Sequence, residues 1–265
     1  MLSLSSVIDN GIDNAQSGAI SLIYTYLLQE HGINHYNNIK IIQIDTRAPT
    51  WNKETIWKEG AKNVVITVHH PSPADFKDRN SSERNTIRLE IIHAALIRLS
   101  KTDKLISVSA LESIKQSILD RNFSFDLLYK KHINKKDPNL EAKVLIHPTE
   151  SVFTIFLAVE YDREEKCRVL IYQGRTLEYF DDFFYYGKWN GIGEFILTGK
   201  LKEVDIQVSI ENCSVVYINK SNLEKPPTFE VMKATLTKEE QELAYRNWVH
   251  SLPPSLGGLI NYNPN

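Results

Sequence analysis

The stretch VFTIFLAVEYDREEKCRVLIY, residues 152–172, decides the fold class of the second half of the chain. Two runs rich in β-branched and aromatic residues, Val152–Tyr161 and Cys167–Tyr172, flank a short charged segment. Runs of this kind on either side of a polar turn are typical of an antiparallel hairpin. We therefore predict antiparallel sheet here, with further strands at Glu194–Lys200 and Asp205–Asn219.

The residues before this stretch show a different pattern. Apolar residues at helical spacing predict helices at Ser17–Glu30, Glu83–Ser100 and Ser109–Asp120, whereas β-branched runs predict strands at Ile39–Asp45 and Asn63–His70. The expected fold class is therefore α+β, with N-terminal helices and a small sheet followed by a mostly antiparallel β-rich region.

Two further signals complete the predicted organisation. The lysine-rich segment Lys130–Lys136 suggests a boundary, which gives an α/β-type region at residues 1–136 and a β-rich region at 137–265. A single continuous domain is the alternative. The sequence Thr237–Glu240 has the form of a helix capping box, so we expect a C-terminal helix to close the second region.

Composition excludes several classes of protein. Of the 265 residues, 42% are hydrophobic and 24% are charged, which is ordinary globular usage. With 31 basic against 33 acidic residues, the net charge of −2 argues against a broadly basic nucleic-acid binder. The apolar run Ala19–Leu28 is about half the length of a membrane-spanning helix. We expect a cytoplasmic protein that binds neither nucleic acid nor membranes; the sequence leaves the oligomeric state open.

The two cysteines are too few for a disulfide framework, and we expect both Cys167 and Cys213 to be buried in strands.

The segment LEIIH, residues 89–93, places Glu90 and His93 on one face of the predicted second helix. It resembles the HExxH zinc helix of the zincin metallopeptidases, with Leu89 in the place of the first histidine. In that family the two histidines bind zinc and the glutamate acts as a general base. The resemblance implies Glu90 and His93 as catalytic residues. It also implies zinc held by His93, by His69 at the end of the preceding strand and by Glu112 on the following helix.

The same residues also fit a structural interpretation. On an apolar helix face, His93 would be a core histidine whose hydrogen bonds are satisfied inside the protein. Glu90 would then pair at the surface with Arg88, Arg84 or Lys101 of the same predicted helix region. Glu112 would close a capping box that begins at Ser109.

The segment YFDDFFYYGKW, residues 179–189, contains seven aromatic residues in eleven positions. Aromatic rings with polar tips supply rigid contact area to binding surfaces. We therefore predict a binding surface, and its candidate residues are Tyr179, Phe183, Tyr185, Tyr186 and Trp189.

Three functions follow from these observations. The favoured one is a non-catalytic interaction protein of the immunity, inhibitor or adaptor type, which binds a protein partner through this aromatic and acidic segment. The first alternative is a hydrolase, such as a degenerate zincin-like metallohydrolase, that uses the helix with Glu90 and His93. The second is a carbohydrate or small-molecule binding module that uses the aromatic rings.

Overall fold

A computed structural model describes residues 3–7, 14–33, 41–45, 56–59, 65–69, 75–103, 106–150, 152–174, 184–199, 202, 204–219, 237 and 239–240. The chain divides into two compact units. The first comprises Met1–Leu127 and His147–Phe153, and the second comprises Leu128–Ile146 and Thr154–Asn265. The boundary predicted between residues 136 and 137 stays a prediction.

A small mixed sheet lies in the first unit. Its strands are β1 (Ser3–Val7), β2 (Ile41–Asp45), β3 (Ile56–Glu59) and β4 (Val65–His69), in the order β1-β2-β4-β3. The first, second and fourth strands are parallel, and β3 is antiparallel to β4. The register places Asp45 opposite His69 at the carboxyl ends of β2 and β4.

Within the described residues, three helices accompany this sheet: α1 (Asn14–Glu30), α2 (Ser81–Asp103) and α3 (Val108–Asp120). A 3-10 turn, Phe76–Asp78, precedes α2. The helices pack against one another, and α1 also packs against β1. Their fully buried contact residues include Ile23, Tyr24, Leu89, Ile92, Leu96, Leu111 and Ile114.

The helix starts differ from the sequence-based prediction in a way that matters for the site. Helix α2 begins with reciprocal hydrogen bonds between Asn80 and Glu83, of 3.1 and 3.0 Å. Helix α3 is capped by Ser107, whose side chain accepts a hydrogen bond from the Ala110 amide. The capping box predicted to begin at Ser109 is therefore wrong, because the cap lies two residues earlier and leaves Glu112 outside it.

Two four-stranded antiparallel sheets follow. The first has the order β5-β6-β7-β8, with β5 at Leu127–Ile133, β6 at Leu140–Pro148, β7 at Phe153–Tyr161 and β8 at Glu164–Gly174. The two-residue turn between β7 and β8, Asp162 and Arg163, has positive φ at both positions, which is the backbone of a tight hairpin turn.

The second of these sheets has the order β12-β11-β10-β9. Its strands are β9 (Tyr186–Asn190), β10 (Glu194–Thr198), β11 (Val204–Ser209) and β12 (Ser214–Asn219). The single strand predicted over 205–219 is thus a hairpin of β11 and β12.

The α+β class is confirmed. The closing C-terminal helix is not borne out in the described part of the chain, where the last complete helix or strand is β12. The Thr237 amide donates to Glu240 and the Glu240 amide donates to the Thr237 hydroxyl, as in a capping box. The remainder of the expected helix lies outside the described residues. Among the described helices, none is long and apolar enough to cross a membrane.

Candidate functional site

His93 lies on α2 at the point where the three helices meet. It is 6% exposed, and its Nδ1 atom is 3.0 Å from the hydroxyl of Tyr24 on α1. The Tyr24 hydroxyl also donates to the carbonyl oxygen of Leu111 on α3, at 3.3 Å. One buried hydroxyl therefore links all three helices through polar contacts.

The other ring nitrogen of His93 contacts Glu112. The distance from Nε2 to Oε1 is 3.3 Å, and the Glu112 side chain is 60% exposed. Burial, reinforced by the negative charge of Glu112, raises the pKa of Tyr24 above its usual value, so its hydroxyl keeps its proton. The arrangement is a row from a buried tyrosine through a buried histidine to a carboxylate at the surface.

Glu90 lies outside this row, because its side chain contacts a lysine of α3. Its side chain is half exposed and accepts a hydrogen bond from the Lys115 ammonium at 2.7 Å. The structure thus brings together His93 and Glu112, as the zincin resemblance implies, but pairs Glu90 with a lysine. A general base must lie within hydrogen-bond reach of the group it deprotonates, and the contact of Glu90 is with Lys115 rather than with His93.

The described surroundings of His93 offer few free donor atoms for a metal ion. Both nitrogen atoms of this ring already have partners, and Leu89 is a fully buried hydrocarbon with no donor atom. No group of three His, Cys, Asp or Glu residues suited to a metal ion occurs in the described residues. The side chain of His69 lies outside them. Zinc binding by His69, His93 and Glu112 stays a prediction.

One turn before His93, α2 carries a second buried polar group. The Arg88 side chain is 2% exposed, and its Nη1 atom is 2.8 Å from Oε1 of Glu150. Arg84 contacts both oxygens of the same carboxylate, at 2.7 and 3.1 Å. The Arg88 guanidinium also lies 5.2 Å from the centroid of the Phe76 ring. Burial alone would raise the pKa of Glu150, but hydrogen bonds from Arg84, Ser81 and Arg88 outweigh it and lower that pKa to about 2.

The sequence carries no local signal for this cluster, because 62 residues separate Arg88 from Glu150. Glu150 stands in the loop between β6 and β7, where Thr149 donates both its amide and its hydroxyl to the Val152 carbonyl. Arg88 itself indicates that a charged partner exists, although not which one. It is an arginine on the buried side of an apolar helix, and arginine is almost never fully buried without a partner.

The aromatic segment has an exposed part. Tyr185 and Tyr186 are each 47% exposed, and their ring centroids are 4.7 Å apart in an edge-to-face arrangement. Phe184 is fully buried and Trp189 is half-buried. Tyr179 and Phe183 lie outside the described residues. We call Tyr185 and Tyr186 the tyrosine pair.

A packed cluster supports the strand that carries the tyrosine pair. Trp189 donates from Nε1 to the His132 carbonyl at 3.1 Å, and its ring lies 5.0 Å from the Phe195 ring. The His132 ring lies 5.2 Å from Phe195 and directly against Gly187, where an added Cβ would come within 2.5 Å of it. Glycine is required at this position because the histidine ring occupies the space of a side chain.

Lysines surround the tyrosine pair in the described residues. The Lys130 ammonium donates to the Phe184 carbonyl at 2.9 Å and lies 5.5 Å from the Tyr185 centroid. The Lys202 ammonium lies 6.0 Å from the Tyr186 centroid. Burial, reinforced by Lys130, lowers the pKa of His132, which favours the neutral ring next to Phe195.

Comparisons with models of protein families, with curated proteins and with solved structures found no match. Of the predicted binding residues, Tyr185, Tyr186 and Trp189 lie on or next to one strand. Of the predicted catalytic and metal-binding residues, His93 and Glu112 are in contact.

Proposed function

We propose that this protein is a non-catalytic interaction protein that binds a protein partner through the tyrosine pair. The carrying observation is that two adjacent tyrosines are each 47% exposed although they follow directly on a fully buried phenylalanine. Tyrosine supplies a large apolar area with a polar tip and few rotatable bonds, so it is enriched among residues that dominate protein interfaces.

The backbone beneath the pair supports this proposal. Tyr186 is the first residue of β9, and β9 is hydrogen-bonded to β10 with Tyr186 opposite Thr198. The packing of Trp189 and His132 holds the same strand from below. A surface that is ordered before binding loses less conformational entropy on association.

The charge around the pair favours a partner with exposed carboxylates. Lys130 and Lys202 lie next to the two rings, and Lys188 is exposed on the same strand. We expect this protein to be of the immunity, inhibitor or adaptor type. We expect it to meet its partner in the cytoplasm.

Site-specific photo-crosslinking tests the proposal. A benzoylphenylalanine would replace Tyr185 in the full chain, produced in its native host and irradiated there. We expect one dominant covalent adduct with another protein, and we expect Tyr186→Ala to reduce its yield.

The matched control is Tyr161, a tyrosine of similar exposure (39%) on strand β7. Crosslinking from that position should not give the same adduct. With the partner purified, Tyr185→Ala should weaken binding roughly tenfold or more, as expected of a residue central to an interface. Adducts of equal yield from both positions, or none from either, would refute the proposal.

A further inference from the structure

The two cysteines of the chain lie close together within the second unit. Cys167 lies on β8 and is 2% exposed, whereas Cys213 is exposed and lies in the turn between β11 and β12. The Cys213 Sγ atom is 3.8 Å from the carbonyl oxygen of Lys166, the residue directly before Cys167. The Cys213 Sγ atom is also 3.8 Å from the Ile210 carbonyl oxygen at the start of the same turn. The expectation that both cysteines are buried in strands is therefore wrong for Cys213.

Two features define the position of Cys213 next to β8. The Tyr217 hydroxyl donates to the Ile171 carbonyl at 2.7 Å, which fixes β12 against β8 a few residues beyond the cysteines. Cys213 itself has a φ of 49°, a left-handed conformation that most residues avoid. A cysteine is thus placed in a turn position that would suit glycine or asparagine better.

We propose that Cys167 and Cys213 are a redox modification site, a thiol pair that a small-molecule disulfide such as oxidised glutathione converts reversibly into an intramolecular disulfide. Cys213 is the residue that reacts first with the small disulfide, and Cys167 is the resolving residue. This proposal does not depend on the proposed partner binding.

The reaction proceeds in two exchanges. The Cys213 thiol loses its proton, and the thiolate attacks one sulfur of the small disulfide; a mixed disulfide forms and one small thiolate leaves. Cys167 then loses its proton and attacks the Cys213 sulfur, and the second small thiolate leaves. The two protein thiols give up two electrons and two protons, and the small disulfide becomes two thiols.

Exposure sets the order of these steps. Cys213 is accessible to the small disulfide, whereas Cys167 is enclosed in the β8 side of the unit. Burial, reinforced by the neighbouring Cys213, raises the pKa of Cys167 to about 12, so Cys167 is a poor nucleophile toward molecules in solution. It attacks only a sulfur that the fold places next to it.

The product would tie two sheet edges together. Strand β8 is at the edge of its sheet, and β12 is at the edge of the other. A disulfide between β8 and the β11–β12 turn closes a loop through residues 168–212 and restricts the unfolded chain. We expect the thermal midpoint of the second unit to rise by roughly 5–10 °C on oxidation.

The test treats the reduced full-length protein with oxidised glutathione and maps its peptides by mass spectrometry without reduction. We expect a monomer in which a Cys167–Cys213 peptide pair replaces both free thiols. In Cys167→Ser, the glutathione adduct on Cys213 should persist, because no resolving thiol is present. In Cys213→Ser, Cys167 should react roughly tenfold more slowly than Cys213 does in the wild type.

A further variant separates pairing from simple exposure. Tyr217→Phe removes the bond that holds β12 against β8, and should slow the second exchange more than the first. A wild-type protein that stops at the glutathione adduct, or that forms a dimer through Cys213, would overturn the proposal. An unchanged thermal midpoint of the linked protein would overturn the inference that the disulfide stabilises the second unit.

Discussion

The buried polar groups of α2 and the tyrosine pair differ in where their polar atoms find partners. Arg88 and His93 are almost completely enclosed, and they bond to Glu150, Tyr24 and Glu112 of the same chain. Tyr185 and Tyr186 keep about half of their surface in contact with solvent. Residues of the first kind define how helices pack, whereas residues of the second kind are available to another molecule. The motif with the stronger chemical resemblance thus belongs to the less available region.

The largest expected effect concerns the carboxylate that serves Arg88. Glu150→Ala would leave a buried guanidinium without its charged partner, and should lower the free energy of unfolding by about 3–5 kcal/mol. Urea denaturation followed by circular dichroism measures this. The control is Asp75→Ala, whose partner Arg79 is exposed, and which should cost less than about 1 kcal/mol. Equal losses in the two variants would remove the distinction between buried and exposed polar groups.

The same carboxylate predicts a pH dependence. The pKa of Glu150 is 4.5 in the unfolded chain and about 2 in the folded protein. A depressed folded pKa gives stability that is fully present above pH 4.5 and is lost as the pH falls toward 2. The thermal midpoint of the wild type should therefore fall more steeply over this window than that of Glu150→Gln. Parallel curves would contradict the assigned role.

The support beneath the tyrosine pair is tested at Gly187. A Cβ at this position would overlap the His132 ring, so Gly187→Ala should destabilise the protein by about 1–3 kcal/mol. Gly193→Ala is the matched control, because no heavy atom lies within 4 Å of its added Cβ. Chemical denaturation of both variants measures their free energies of unfolding. If Gly187→Ala were no less stable than Gly193→Ala, the packing beneath the tyrosine pair would be adaptable rather than rigid.

The smallest expected effect comes from deleting one hydroxyl in each region. Tyr24→Phe removes the hydrogen bond to His93 in a buried site and should cost about 1–2 kcal/mol. Tyr186→Phe removes a hydroxyl from a ring that is 47% exposed, and its cost should stay within about 0.5 kcal/mol. Thermal unfolding of the two variants side by side gives the comparison directly, and it would fail if the two costs were the same.

Sequence periodicity predicts those parts of the fold in which local pattern and burial agree. The hairpin of β7 and β8 and the three helices are of this kind, since each element carries its own apolar face. The split of residues 205–219 into two strands is missed, because the turn at Cys213 uses a left-handed residue that is not glycine.

Spacing along helices also explains what is predicted of the candidate site. His93 and Glu112 lie on consecutive helices, and short connections make such helices neighbours. Other neighbours come from segments far apart in the sequence, such as Arg88 with Glu150 and Cys167 with Cys213. The periodicity of each segment does not predict which distant residue will lie beside it. The partner of Glu90 is missed for the same reason: it is Lys115, on another helix, rather than a nearby residue of α2.

The position of Glu150 in the chain has a consequence for synthesis on the ribosome. Arg88 is translated well before its charged partner Glu150, because 62 residues separate the two in the chain. At roughly 5–20 residues per second, Arg88 waits about 3–12 s for its partner. During that interval the nascent first unit holds the Arg88 cation on its apolar side. The unit completes its packing only when the loop between β6 and β7 has emerged.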